Sequence, residues 1–202
     1  MTDPSNERTE PAGAIILAGG LSSRLGFDKR SLLVDGVPIV DHVYAALRQR
    51  FAQILIGAEA PSMWAHLDAE VVGDDVPGIG PLMGLRSCLA RARHDLNFVT
   101  ACDIPRPRMD LVERLLEAAS TRDGAVPVTS RGEIEPLFGA YRRALLPTID
   151  RLLSAGARSL RALYAEHDFG FVELASFGID ALPNINTPRD LERLKALLAR
   201  TG

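Results

Sequence analysis

Cysteine is scarce in this chain, with Cys88 and Cys102 the only two among 202 residues. Two thiols cannot by themselves form a structural zinc site, and no signal-peptide pattern precedes them. We therefore expect reduced thiols in a cytoplasmic protein. Long apolar runs are missing as well. No stretch approaches the roughly 20 residues that cross a bilayer, so we expect no membrane partner.

Aromatic residues are few, and basic residues do not outnumber acidic ones. Aromatics make up 5% of the chain, and the formal net charge is −3 with both signs interspersed. Nucleic-acid-binding proteins normally carry a basic face, and single-strand binders stack bases on aromatic rings. We therefore expect small-molecule or protein partners and no nucleic acid. Hydrophobic residues make up 47% of the chain, which predicts one domain over residues 12–202 after a disordered tail over 1–11.

Several familiar catalytic and binding motifs are absent. There is no G-x-S-x-G elbow, and the four histidines are scattered without metal or triad spacing. The dinucleotide pattern G-x-G-x-x-G does not occur. A Walker loop requires G-x-x-x-x-G-K-[ST], but Gly26 is followed here by Phe27. These absences remove the commonest hydrolase and nucleotide-binding signatures.

A buried apolar run that ends in two glycines is present instead. Ala14–Leu17 predicts a short strand, and Gly19 and Gly20 permit a sharp turn whose bare N–H groups can face an anion. Arg24 and Lys29 follow in the same loop. Each contact between an ionised donor and a phosphate oxygen contributes about 1.5–3 kcal/mol. The pattern favours a nucleotide-binding loop, while a glycine turn with surface charges remains the alternative.

Strand and helix patterns alternate along the chain and predict an α/β protein. Short connections favour a three-layer, mostly parallel, doubly wound (Rossmann-like) sheet, whose ligands bind beyond the carboxyl ends of the strands. A turn over 130–135, with Arg131-Gly132, predicts a small hairpin or lid near that cleft. The predicted strands are Ala14–Leu17, Gln53–Gly57, Ala69–Gly73, Leu96–Cys102, Ala125–Thr129, Leu137–Tyr141 and Gly170–Leu174. The predicted helices are Ile39–Phe51, Leu82–Ala92, Met109–Ser120, Ala144–Leu153, Ser159–His167 and Thr187–Arg200.

Carboxylates and amides follow several of these strands. Asp103 ends a hydrophobic strand and suits Mg²⁺, although it is equally placed to cap the next helix. Asp74 and Asp75 open a glycine–proline loop; such a carboxylate can accept the two donors of a guanine edge, or the loop is simply a turn. Asn184 and Asn186 precede a predicted helix. They either bind a polar substrate or cap that helix.

These segments, taken in order, resemble the molybdenum cofactor guanylyltransferase family (MobA-like nucleotidyltransferases) over roughly residues 13–198. LAGGLSSRLGFDK is similar to the family's LAGGxSxRMGxDK, and GDDVPGIGPLMGL to its DxxPGxGPLxGI. ACDIP resembles the metal motif, EPLFGAY the substrate-side PLFALY, and NINTPRDL the NxNTPxDL ending. The chain departs at Leu25, usually Met, and at Gly57 and Glu135, where some members have Asn and His.

The resemblance implies Mg²⁺-dependent transfer of GMP from GTP to the phosphate of molybdopterin, with release of pyrophosphate. It implies nucleotide binding in the N-terminal half and acceptor binding in the C-terminal half of one nucleotidyltransferase domain. Further implied partners are proteins that deliver or accept the cofactor. The implied catalytic residues are Arg24, Lys29 and Asp103, with Asp103 also the metal ligand. The implied contacts are Leu17, Ala18, Gly19, Gly20, Lys29, Gly57, Asp74 and Asp103 for the nucleotide, and Asn184 and Asn186 for the acceptor.

Two alternatives remain open at this point. One is a related nucleotidyltransferase with another nucleotide or acceptor, such as CTP with the same pterin or an NTP with a sugar phosphate. The other is a non-catalytic nucleotide sensor, which would not need the carboxylate at Asp103.

Overall fold

The computed structural model describes residues 11–19, 33–34, 36–59, 61–179, 182–185, 189–190 and 192. Four predicted site residues lie outside these ranges: Gly20, Arg24, Lys29 and Asn186. Most of the predicted tail over 1–11 and most of the predicted terminal helix over 187–200 lie outside them too.

Strands and helices alternate through the described residues. The strands are β1 (Ala12–Leu17), β2 (Leu33–Val34), β3 (Val37–Pro38), β4 (Ile54–Gly57), β5 (Glu70–Val72), β6 (Leu96–Ala101), β7 (Gly124–Val128), β8 (Phe138–Arg142) and β9 (Phe169–Glu173). The α-helices are α1 (Ile39–Leu47), α2 (Pro81–Arg91), α3 (Met109–Ala118) and α4 (Leu146–Ser154). Short 3₁₀ helices cover Pro61–Trp64, Arg143–Leu145, Leu160–Ala165 and Leu174–Phe177.

A seven-stranded sheet in the order β5-β4-β1-β6-β8-β7-β9 forms the centre of the molecule. All of its strands run parallel except β8, which pairs antiparallel with both β6 and β7. β2 and β3 pair separately as a small antiparallel ribbon. The prediction of a mostly parallel sheet is confirmed, and its single reversed strand, β8, follows the turn over 130–135 that predicted a hairpin.

Helices cover both faces of the sheet and make three layers. The core on one face contains apolar side chains of α1 and α3 together with Ile16 of β1, and the core on the other contains those of α2 and α4 together with Ile15 and Leu17. All six residues of β1 are buried. A central parallel strand is covered on both sides, which is why its sequence is a continuous apolar run rather than an alternating one.

One predicted segment differs in the structure, and the predicted hairpin over 130–135 is confirmed. The segment predicted as a helix from Ser159 is a 3₁₀ helix; its buried residues, Leu160 and Leu163, are three apart, a spacing that matches three residues per turn. The turn between β7 and β8 is a hairpin closed by an isolated bridge between Val128 and Ile134, with Gly132 at a φ of 78°. That φ lies in the left-handed region that glycine adopts without strain.

Both cysteines are buried, and they do not form a disulfide with each other. Within the described part of the chain, no helix has the length and apolar character that crossing a membrane requires.

Candidate active site

The carboxyl ends of β1, β4, β5 and β6 meet at one edge of the sheet because these neighbouring strands are parallel. β8 runs the other way, with Phe138 in register with Thr100, so the chain enters β8 at this same edge. Residues 135–137 therefore lie beside the loop that follows β6. Ligands of doubly wound sheets bind at this edge.

The predicted nucleotide residues within the described ranges come together at this edge. Leu17, Ala18 and Gly19 leave β1 beside Gly57, whose carbonyl accepts the Ala18 N–H at 2.9 Å. A Cβ on Gly57 would lie 3.0 Å from both Cys88 Sγ and Leu17 Cδ2. A side chain at this position would require both neighbours to shift by a few tenths of an ångström, and with glycine present the protein offers a ligand only backbone groups here.

Asp74 lies in the loop after β5, over the first turns of α2. Its Oδ1 is 3.4 Å from the point that a Cβ on Gly84 would occupy, beside Leu17. Among the described residues, its carboxylate has no ion-pair or hydrogen-bond partner. Burial, followed by the charges of Glu59 and Asp75, raises the pKa of Asp74. A partly buried carboxylate without a partner is a candidate for ligand recognition.

The neighbouring Asp75 anchors this loop to the scaffold. The Ser87 hydroxyl accepts the Asp75 backbone N–H at 3.1 Å, and the Arg86 guanidinium bridges the carboxylates of Asp75 and Asp150. These hydrogen bonds to Asp150 and Asp75 raise the pKa of Arg86 against the opposing effect of burial. Arg86 of α2 thereby connects the residue next to Asp74 to α4.

A cleft of about 190 Å³ contains the other predicted site residues, Asp103 and Asn184. The Asp103 carbonyl accepts the Ile185 N–H at 2.9 Å, which brings the segment 182–185 to the loop after β6. Asn184 Oδ1 is buried and has no hydrogen-bond partner among the described residues. The remaining lining residues are Pro81, Ala101, Ile104, Glu135, Pro136, Leu137, Ser159 and Leu160.

The amino end of α2 lies between these two groups of residues. The Arg158 carbonyl accepts the Leu82 N–H at 3.1 Å, which satisfies one of the donors that a first helical turn leaves unpaired. Gly80 precedes the helix at a φ of 122° and a ψ of −177°, and a Cβ there would lie 3.2 Å from the Arg158 carbonyl oxygen. Glycine thus permits the close approach that positions residues 158–160 at the cleft.

The alternative helix-capping role for Asp103 is wrong, because α3 begins at Met109 and Arg108 is its capping position. The capping alternative for Asn186 lies outside the described residues, as do the cations Arg24 and Lys29. Sequence reasoning missed the contribution of Ser159 and Leu160 to the cleft. No local signal marks it, since it arises from the contact between Arg158 and α2.

A doubly wound α/β sheet with the carboxylates Asp74 and Asp103 at its carboxyl edge defines the class: an α/β protein of the Rossmann-like nucleotidyltransferase fold, in which ligands bind at that edge. The family described as "MobA-like NTP transferase domain" matches residues 14–170. The chain belongs to this family and is a transferase enzyme.

Individual relatives agree with this assignment. The chain is 33% identical over 187 residues to the molybdenum cofactor guanylyltransferase of Shewanella sp. (strain MR-4), covering 91% of this chain and 94% of that one. Its fold is similar to that of molybdopterin-guanine dinucleotide biosynthesis protein A from Archaeoglobus fulgidus, with a TM-score of 0.80, 20% identity, and coverage of 94% and 100%. It is also similar to CMP:2-keto-3-deoxy-manno-octonic acid synthetase complexed with CTP, with a TM-score of 0.71, 21% identity, and coverage of 95% and 99%.

Proposed function

We propose that the protein transfers GMP from GTP to the phosphate of molybdopterin, forming the guanine dinucleotide cofactor and pyrophosphate. The observation that carries the proposal is the relationship, over 91% of the chain, to an enzyme named molybdenum cofactor guanylyltransferase. A carboxylate on the nucleotide side (Asp74) and another in the adjoining cleft (Asp103) support it. The proposal also assigns the enzyme to the cytoplasm and includes proteins that deliver or accept the cofactor as partners.

In this proposal the nucleotide is held by the loop after β1. The backbone of Leu17, Ala18, Gly19 and Gly20 and the side chains of Arg24 and Lys29 hold the phosphates, while Gly57 and Asp74 lie at the base. An acceptor phosphate oxygen attacks the α-phosphorus in line, and the bond to the bridging oxygen breaks as pyrophosphate leaves. Positioning and charge neutralisation are the protein's main contributions to such a reaction.

The cleft is chemically suited to a divalent metal ion. Asn184 Oδ1 is a buried oxygen without a partner among the described residues, and it lies in the same cleft as Asp103. Mg²⁺ prefers oxygen ligands and is commonly held by one or two carboxylates together with substrate phosphates. We propose that Asp103 holds Mg²⁺, which when bound neutralises negative charge on the phosphate oxygens. Asn184 and Asn186 are proposed to contact the acceptor.

A second candidate is transfer of another nucleotide, with CTP the first to test. The observation that favours it is Gly57, which has no side chain that could contact the base. Cys88 Sγ and Leu17 Cδ2 each lie 3.0 Å from the position that a Cβ would take there. The CTP complex of a protein with a similar fold makes a pyrimidine nucleotide a reasonable comparison.

The deciding experiment is product analysis. Purified protein with molybdopterin, Mg²⁺ and each of the four NTPs in turn should form a GMP-linked pterin and pyrophosphate with GTP, detected by mass spectrometry. Asp103→Asn should lower turnover about 1,000-fold, whereas the exposed carboxylate control Asp110→Asn should leave it unchanged. Formation of a CMP-linked product with CTP alone would replace the proposal with the second candidate.

A further inference from the structure

Glu135 is a second partly buried carboxylate without a partner at the site. Among the described residues the Glu135 carboxylate makes no hydrogen bond or ion pair, although the charge of Arg161 acts on it. The Arg161 guanidinium donates instead to the Ile134 carbonyl. Burial is the main influence on Glu135 and raises its pKa, with Glu133 and Asp103 acting in the same direction and Arg161 opposing them. A partly buried carboxylate without a partner destabilises the folded protein, and binding of a ligand would explain why it is present.

The backbone around Glu135 is held rigidly. The Glu135 N–H donates to the Pro127 carbonyl at 3.1 Å, and its own carbonyl accepts the Phe138 N–H at 3.2 Å. The buried Tyr141 hydroxyl donates to the Pro136 carbonyl at 2.7 Å. A backbone held in this way places the Glu135 side chain at the cleft before a ligand binds, which lowers the entropic cost of recognition.

The cleft around Glu135 favours an organic ring over a second metal ion. Six of its ten lining residues are apolar, among them Leu137 and Leu160. At about 190 Å³ the cleft is smaller than pockets that enclose a whole ligand of about 300–1,000 Å³, so it takes one ring system of a larger substrate.

We infer that Glu135 recognises the acceptor, its carboxylate accepting hydrogen bonds from the 2-amino group and ring N–H of the pterin. This inference rests on the proposed function, in which the acceptor is a pterin. Guanine presents the same pair of donors, an amino group beside a ring N–H. Asp74 and Glu135 lie on either side of the amino end of α2. Each carboxylate accepts hydrogen bonds from an amino group and the adjacent ring N–H, Asp74 from guanine and Glu135 from the pterin.

The test compares Glu135→Gln and Glu135→Asp with a control, Glu133→Gln, which removes an exposed carboxylate from the same hairpin. In GMP-transfer assays, Glu135→Gln should raise the acceptor KM about 10- to 100-fold, since it loses charge-assisted hydrogen bonds. The GTP KM should stay within about twofold, and Glu133→Gln should match the wild type. Glu135→Asp keeps the charge, so its acceptor KM should lie between those of the wild type and Glu135→Gln.

A binding measurement separates recognition from a structural effect. 6-Hydroxymethylpterin and 6-hydroxymethyllumazine differ in the 2-amino group, which is an oxygen in the lumazine. By fluorescence titration the wild type should prefer the pterin about tenfold or more, and Glu135→Gln should lose that preference without any fall in melting temperature. Unchanged preference and acceptor KM in Glu135→Gln would overturn the inference, as would equal rises in the GTP and acceptor KM values. Failure of the wild type to make the GMP-linked product would overturn the proposed function instead, and the binding measurement would still decide the role of Glu135.

Discussion

Gly80 offers a sharp quantitative test of how α2 is positioned at the site. Its φ of 122° and ψ of −177° lie in a region that only glycine adopts readily, so an alanine there costs about 1–3 kcal/mol. The added Cβ would also lie 3.2 Å from the Arg158 carbonyl oxygen and 3.3 Å from Arg158 Cβ, and this segment must shift by a few tenths of an ångström. Together these effects predict a loss of about 2–4 kcal/mol for Gly80→Ala.

The same loop supplies two matched controls. Gly78 has a φ of 76° but open space around its Cβ position, so Gly78→Ala should lose only about 1–2 kcal/mol. Gly73 has neither a positive φ nor a neighbour within 4 Å, so Gly73→Ala should be neutral or stabilising by about 0.4–1 kcal/mol.

Thermal unfolding followed by circular dichroism measures the series. For a chain of this length, about 1 kcal/mol corresponds to about 2–4 °C, so Gly80→Ala should melt about 4–16 °C below the wild type. It should still be folded at 25 °C, because domains are generally stable by about 5–15 kcal/mol. A melting temperature for Gly80→Ala equal to that of Gly78→Ala would refute the close contact between Gly80 and Arg158, because strain at a positive φ would then account for the whole loss.

Three further predictions concern buried side chains. Burial and neighbouring carboxylates raise the pKa of Asp74, so ionisation of this carboxyl opposes folding. The free energy of unfolding is therefore highest when Asp74 is protonated and decreases as pH rises through its folded-state pKa. Asp74→Asn should therefore raise the melting temperature at pH 7, with the gain vanishing near about pH 3, where the carboxyl is protonated in both states; destabilisation at pH 7 would contradict this. Tyr141→Phe removes the hydroxyl that donates to Pro136 at 2.7 Å and pairs with Tyr164 at 2.8 Å, and should cost about 1–3 kcal/mol in urea unfolding. Tyr164→Phe, which loses one of these bonds, should cost less, and the reverse order would be inconsistent with the geometry. Burial raises the pKa of Cys88 to about 12, so a thiol reagent at pH 8 should leave it unmodified in the native protein and modify both cysteines in denaturant; rapid native labelling of Cys88 would contradict its burial.

Much of the fold was predictable because its signals are local. The continuous apolar run of β1 predicted a central strand, and the amphipathic pattern of α3 predicted a helix whose buried residues include Leu111 and Leu115. The carboxylate at Asp103 was predicted from its position after a hydrophobic strand, and the structure puts it in the cleft with Asn184. Their roles in binding and catalysis stay predictions.

The hairpin predicted over 130–135 agrees with β8 running antiparallel to β7, but the pairing of β8 with β6 could not be predicted, because it joins residues far apart in sequence. Thr100 pairs with Phe138 across nearly 40 positions, and no local pattern distinguishes an antiparallel partner from a parallel one here. The consequence is functional as well as architectural: the reversal brings Glu135 to the edge where β6 ends.

The amino-acid sequence by itself determined the class of protein, since apolar periodicity, glycine turns and ordered motifs are read from neighbouring residues. It also determined which side chains could bind phosphate or metal. Only the tertiary structure decided that Glu135, Ser159 and Leu160 share a cleft with Asp103, because that cleft depends on the reversed strand and on the approach of Arg158 to Gly80. Long-range contacts of this kind depend on the packing of the whole sheet and its helices, and no short stretch of sequence encodes them.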